Sequence, residues 1–150
     1  QVQIHGMTAM FHSKRPLVTN YFSFQGRDLL KERTSFDRGL YLRDEERNSE
    51  YPIFEDKTGT HIMSGEDICM IHELPELLDG EIDSFKIEGL MKSVEYNEQV
   101  VKLYRQAIEL YLTDPEAYEE KRDDFFEQIE AIQPARRPLT TGFFFKELVY

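Results

Sequence analysis

Apolar residues recur in the C-terminal half of the chain at steps that place them on one face of a helix. Tyr96, Val100, Tyr104, Ile108 and Tyr111 follow at intervals of four and three, which predicts an amphipathic helix. Asp114-Pro115 has the form of an N-cap with proline at the first helical position and predicts a second helix. Its apolar stripe is Tyr118, Phe125, Phe126, Ile129 and Ile132, and it ends before Pro134. Ser64-Gly65-Glu66-Asp67 resembles a cap with an acid three residues on. Ile68, Ile71, Leu74, Leu77 and Leu78 continue it as a helix broken near Pro75 and stopped by Asp79-Gly80.

Alternation predicts strands elsewhere. Residues 1–5 alternate around Val2 and Ile4 and run straight into Gly6, so the chain starts inside an element, as a fragment of a longer protein would. Residues 39–43, 51–55 and 60–63 are further strands, the last two joined by the turn Asp56-Lys57-Thr58-Gly59, and 85–87 is a short buried one. Residues 13–39 read as irregular, with aromatic rings at Tyr21, Phe22, Phe24 and Phe36. The tail from Leu139 to Phe145 is too aromatic to be a free end and is expected to pack.

A length of 150 residues with 40% hydrophobic and 31% charged residues is that of one soluble globular domain. No apolar run approaches the roughly 18 to 20 residues of a membrane span, and no basic and apolar leader opens the sequence. Cys69 is the single cysteine, which excludes an internal disulfide framework and makes the cytoplasm the expected compartment. The net charge of -11 is uneven. Lys14, Arg15, Lys31, Arg27, Arg33, Arg38 and Arg43 face only Asp28, Glu32 and Asp37 in the first 43 residues. A basic segment on an acidic body could offer one face to a phosphate-bearing partner, although the whole chain is too acidic to suggest nucleic-acid binding by itself.

The order strand, helix, strand, helix over 60–112 is the rhythm of βα units, in which chemistry collects at C-terminal strand ends. Two such ends are polar here: His5-Gly6 and Lys86-Ile87-Glu88-Gly89. Lys86 and Glu88, two apart on a strand, share a face. Inside a barrel they could bind an anion or act as acid and base; on an open edge they would form a solvated salt bridge. Gly89 permits close backbone approach, and Lys92-Ser93 opens the next helix, where anions are favoured. His5, His12, Met7 and Met10 match no zinc spacing, and methionine there suits a core. Cys69 is expected to lie in the first turn of its helix, buried and inert. With no HExxH, GxSxG or CxxC motif and no Gly-rich phosphate loop, a hydrolase has no visible nucleophile.

The stretches Glu66-Asp67-Ile68-Cys69-Met70-Ile71, Leu74-Pro75-Glu76-Leu77 and Ser84-Phe85-Lys86-Ile87-Glu88-Gly89-Leu90-Met91-Lys92-Ser93 resemble the peptidase U32 family. Tyr96, Val100, Val101, Tyr104-Arg105 and Ala107-Ile108 continue the resemblance, and His5-Gly6 and Thr141-Gly142-Phe143 extend it to both ends. It covers nearly the whole chain but only the C-terminal portion of a usual member. It implies an α/β fold, the C-terminal part of a TIM-like barrel present as an incomplete fragment. Residues 1–38 would hold a strand end and a former cluster loop, 39–63 a β-rich insertion, and 64–150 βα units and C-terminal helices. Open barrel edges would favour a homodimer or edge pairing.

Cysteine-complete members resemble iron–sulfur proteins that bind a 4Fe-4S cluster. Here the first two cysteine slots fall on Ala9 and Pro16, the third has no counterpart between Gln25 and Tyr41, and only Cys69 is retained. One thiolate cannot hold such a cluster, so the resemblance implies a cysteine-depleted paralogue with no cofactor of its own. Proteins of that character accompany a cysteine-complete sister in Gram-positive bacteria. The pair is implicated in oxygen-independent hydroxylation of tRNA wobble uridine, with prephenate as the hydroxyl source. The expectation is therefore a partner subunit acting with that sister and tRNA, with no membrane. Lys86 and Glu88 would be the catalytic pair, and His5, Asn20, Lys92, Tyr96 and Arg105 would contact substrate. The alternatives are a collagenase-like peptidase, as the family name says, and a scaffold for the sister.

Overall fold

A computed structural model describes residues 1–28, 39–46 and 49–145 as a mixed α/β protein. Its strands are β1 (Val2–Ser13), β2 (Leu40–Asp44), β3 (Ser49–Asp56), β4 (Gly59–Cys69), β5 (Phe85–Glu88) and β6 (Leu139–Thr140). Its helices are α1 (Leu17–Phe24), α2 (Leu74–Asp79), α3 (Val94–Thr113) and α4 (Pro115–Ile132). The strands form one sheet in the order β2-β3-β4-β1-β5, with β6 beside β4. The chain divides into two compact units, Gln1–Met7 with Glu66–Tyr150, and Thr8–Gly65.

In the first unit the two helices predicted from the Tyr96 stripe and from Asp114-Pro115 stand. The Ser93 hydroxyl accepts the Tyr96 N–H and starts α3, whose inner face is Tyr96, Val100, Leu103, Tyr104 and Ala107. The Asp114 carboxylate accepts the Ala117 N–H at 3.0 Å and starts α4, which buries Tyr118 and Ile129. These residues pack with Ile4, Cys69, Met70, Ile71, Leu74 and Leu77 into one core. β5 runs parallel to β1, pairing Val2 with Phe85 and Gly6 with Glu88. Gly6 does not end its strand as expected; it has φ +93°, and a Cβ there would lie 2.1 Å from the Glu88 carbonyl oxygen. Only glycine lets the two backbones approach so closely.

The helix expected to open at Ser64 is a strand up to Cys69. Asp67 and Cys69 are buried on one face, the Asp67 N–H donates to the Pro138 carbonyl, and β6 pairs Asp67 with Leu139 and Ile68 with Thr140. These long-range ladder bonds outweigh a local cap. Cys69 therefore closes a strand instead of sitting in a helical first turn. Helix begins only at Leu74, so Pro75 stands near its start, where the missing N–H costs nothing, and does not break it.

In the second unit the turn at 56–59 does join two antiparallel strands, with Phe54 opposite His61 and Ile53 opposite Ile62. β2 pairs with β3, Leu40 opposite Ile53. The stretch expected to be irregular contains the end of β1 and helix α1, whose Val18 and Phe22 pack on Leu40 and Ile53; Phe36 lies outside the described residues. Pro16 supplies no side-chain cap for α1. The Glu55 carboxylate does so from β3, accepting the N–H groups of Val18 at 3.1 Å and Thr19 at 3.4 Å and the Thr19 hydroxyl. Burial pushes the Glu55 pKa up, but the hydrogen bonds from Thr19 and Thr60 outweigh it and hold the group below the usual carboxylate range.

Candidate functional site

Asp67, at the end of β4, has no solvent exposure and four neighbouring donors. Lys92, just after β5, pairs with its Oδ2, and its Nζ stands 4.9 Å from the Tyr96 ring centroid. Gln133, which caps α4, donates Nε2–H to Oδ2 at 2.6 Å. Arg137 donates from Nη2 to Oδ1 at 2.6 Å and from Nε at 3.2 Å, and its Nη2 also reaches the Glu66 carbonyl. Burial disfavours the Asp67 anion, but the hydrogen bonds and charges of Arg137 and Lys92 prevail and its pKa stays below the ordinary value. Burial in turn lowers the pKa of Lys92, against the pull of Asp67.

The network continues to β1 through an ordered line of donors. The Tyr96 hydroxyl donates to Gln133 Oε1 at 2.7 Å, so it accepts from His5 Nε2, 2.8 Å away. That assigns the proton of a neutral His5 to Nε2. His5 is fully buried, and burial pulls its pKa down to about 4, with Asp67 opposing and Lys92 assisting. His5 is thus a neutral imidazole of fixed tautomer near pH 7. On its other side lies Tyr104, whose hydroxyl donates to the Ile4 carbonyl at 2.8 Å and accepts the Met70 N–H at 3.0 Å. Burial raises the pKa of both tyrosines, so neither ionises at neutral pH.

Of the residues expected at the site, this arrangement unites His5, Lys92 and Tyr96. Lys86 and Glu88 form their own ion pair of 2.9 Å, partly open to solvent, with the Glu88 carboxylate also accepting the Leu90 N–H. Their register places Lys86 opposite Gln3 and Glu88 opposite Gly6, at the C-terminal end of β5 and in the middle of β1, which continues to Ser13. Arg105 is exposed on α3 and pairs with Glu109, away from the network; Asn20 is exposed on α1 in the other unit. Asp67, Gln133, Arg137 and Tyr104 were not foreseen. Asp67 looked like a capping acid, and nothing local distinguishes Gln133 or Arg137 from surface residues.

Of the positions aligned with the family's cysteines, only Cys69 carries a thiol. Ala9 and Pro16 offer no ligand atom. The Cys69 thiol is 5% exposed, and burial raises its pKa although the Tyr104 hydroxyl lies 3.6 Å away. Among the described residues no group of three His, Cys, Asp or Glu side chains is placed to hold a metal ion. A hydroxyl, an imidazole and a carboxylate do meet at Thr58, His61 and Asp56, but both oxygens contact the same nitrogen, His61 Nε2, at 3.0 and 3.2 Å. A hydrolytic triad needs its carboxylate on the opposite ring nitrogen, so this cluster is not one.

The family model for peptidase family U32 matches residues 1–148. The tRNA hydroxylation protein P2 of Bacillus subtilis (strain 168) is 53% identical over 150 residues, which is 100% of this chain and 48% of that protein. The tRNA hydroxylation protein P1 of the same organism is 29% identical over 143 residues, 94% of this chain and 33% of its own length. A collagenase of Porphyromonas gingivalis (strain ATCC BAA-308 / W83) is 34% identical over 74 residues, 49% of this chain and 17% of its own. The chain thus spans about half the length of the first relative and a third of the second. No solved structure matches. Among the described residues no helix is long and apolar enough to cross a membrane.

Proposed function

Since the chain belongs to peptidase family U32, we propose that it forms part of a tRNA hydroxylation protein that modifies the wobble uridine. The observation that carries this reading is the 53% identity to tRNA hydroxylation protein P2, maintained over the whole chain. The reaction we propose is oxygen-independent, with prephenate as the hydroxyl source. The protein serves as the cluster-free partner of a cysteine-complete U32 sister, because Ala9, Pro16 and a buried Cys69 make no ligand set. In this reading the Lys86–Glu88 pair faces the substrate from the C-terminal end of β5, beside β1. His5, Tyr96 and Lys92 act behind it as positioning residues: they are buried, and their bonds hold β1 and the segment after β5, the strand that carries Lys86 and Glu88. Asn20 and Arg105, both exposed, are left to contacts with RNA or protein at the surface.

Mass spectrometry of tRNA nucleosides tests the proposal. A strain lacking the gene is expected to lose hydroxylated wobble uridine and to regain it on complementation. An unchanged nucleoside profile would overturn the reading. The peptidase alternative has weaker support: the collagenase likeness covers half the chain, and the single thiol is buried with its pKa raised.

A further inference from the structure

We propose that the column of rings Phe54, His61 and His12 is a stacking platform for an unpaired base of an RNA ligand, flanked by Lys14, Arg15 and Lys57 for its phosphates. The inference rests on the reading of this chain as part of an RNA-modification protein.

The three rings lie on neighbouring strands β3, β4 and β1. Phe54 is directly opposite His61, with ring centroids 4.7 Å apart and planes 10° from parallel. His12 continues the column at 4.6 Å and 25°. Those separations match the spacing of adjacent strands, so the rings stack across the sheet, one per strand. β5 pairs with β1 only from Val2 to Gly6. At His12, among the described pairings, β1 therefore has no β5 partner beside it, and the His12 ring is exposed.

Both imidazoles are held in place. The Thr58 carbonyl can only accept, so His12 donates to it from Nε2 at 3.1 Å. His61 Nε2 is fixed by the Thr58 hydroxyl at 3.0 Å and Asp56 at 3.2 Å. A flat ring held this way loses little entropy when a base settles on it. A structural staple would need only buried rings; here the outermost ring is the exposed one. Lys14 and Arg15 are exposed two and three residues beyond His12, and Lys57 is exposed in the adjoining turn. The nearby carboxylates are engaged: Asp56 accepts the Thr58 N–H and hydroxyl, and Glu55 caps α1. Rings that stack bases, set among cations, are the ordinary means of holding single-stranded RNA.

The test uses the full-length protein carrying this chain and fluorescence anisotropy with a labelled anticodon stem–loop RNA and a blunt RNA duplex. His12→Ala is expected to weaken stem–loop binding about tenfold, the scale of one lost base–aromatic stack, and to leave the duplex unaffected. His12→Phe, which keeps a ring, should bind within about twofold of the parent. Lys14→Ala and Lys57→Ala should weaken both RNAs and each reduce the salt slope by about one. Unchanged stem–loop binding by His12→Ala, equal losses with alanine and phenylalanine, equal losses on loop and duplex, or no RNA binding by the parent would each overturn the platform. Its failure is separable from that of the hydroxylation reading. Lost hydroxylation in the deletion strain with no effect at His12 removes only the platform; a clear effect at His12 with unchanged nucleosides removes only the hydroxylation reading.

Discussion

Arg137 closes on Asp67 across 70 residues of chain, with donors from both Nε and Nη2 directed at a carboxylate that has no contact with solvent. A planar fork on a buried anion is geometry that lysine cannot reproduce. Arg137→Met should destabilise the fold by about 3 kcal/mol, since removing one partner leaves buried charge less well compensated. Arg137→Lys should recover only part of that loss, as read by urea denaturation at neutral pH.

Acid should weaken the protein through His5. Its pKa in the fold is about 4, below the value of about 6.5 in an unfolded chain. The unfolded state therefore binds the proton first, and stability falls as pH drops from about 6.5 towards 4. The loss at the bottom of that window is about 3 kcal/mol. His5→Gln should flatten this part of the stability curve. Asp67 acts lower: its depressed pKa contributes stability above the ordinary carboxylate value that is lost as pH falls through its folded one. A second decline at more acidic pH, absent in Asp67→Asn, is the expected signature.

Two glycines with positive φ should respond differently to alanine. Gly6 and Gly26 have φ of +93° and +69°, but a Cβ at Gly26 meets nothing within 4 Å. Gly26→Ala should cost about 1 kcal/mol, the backbone term alone. Gly6→Ala adds a clash with the Glu88 backbone, and we expect a loss of at least about 3 kcal/mol or insoluble protein. Thermal denaturation of the two variants side by side decides this.

Cys69 should ignore thiol reagents in the native protein. Its burial and raised pKa leave little accessible thiolate. Reaction with a colorimetric disulfide reagent should proceed only on unfolding and be completed at once in denaturant. Fast labelling of the native protein would contradict the position of Cys69 in the core.

The helices α3 and α4 were legible because apolar periodicity and side-chain caps are local signals, and the structure uses both. Residues 64–69 were not. Ser64 and Asp67 have cap-like spacing, and a buried acid does not register in an apolar pattern; only β6, some 70 residues later, reveals Asp67 as an inward-facing strand residue. α1 was missed because two buried residues, Val18 and Phe22, are too few to show a period, and its cap comes from Glu55 on another strand. Of the site, His5, Tyr96 and Lys92 could be named from strand ends and motif. Gln133 and Arg137 acquire meaning only from the carboxylate they reach.

The line of bonds from His5 to Arg137 also sets an order of events during synthesis. His5 and Asp67 are made early, yet Gln133 and Arg137 are made late, so the carboxylate cannot be enclosed until nearly all of this segment exists. Until then Asp67 must stay hydrated or rely on Lys92 alone, and the strand that carries it cannot settle into its final burial. A ribosome that stalls before the codon for Arg137 would therefore present a nascent chain with this acid still wet, a natural point for chaperones to engage.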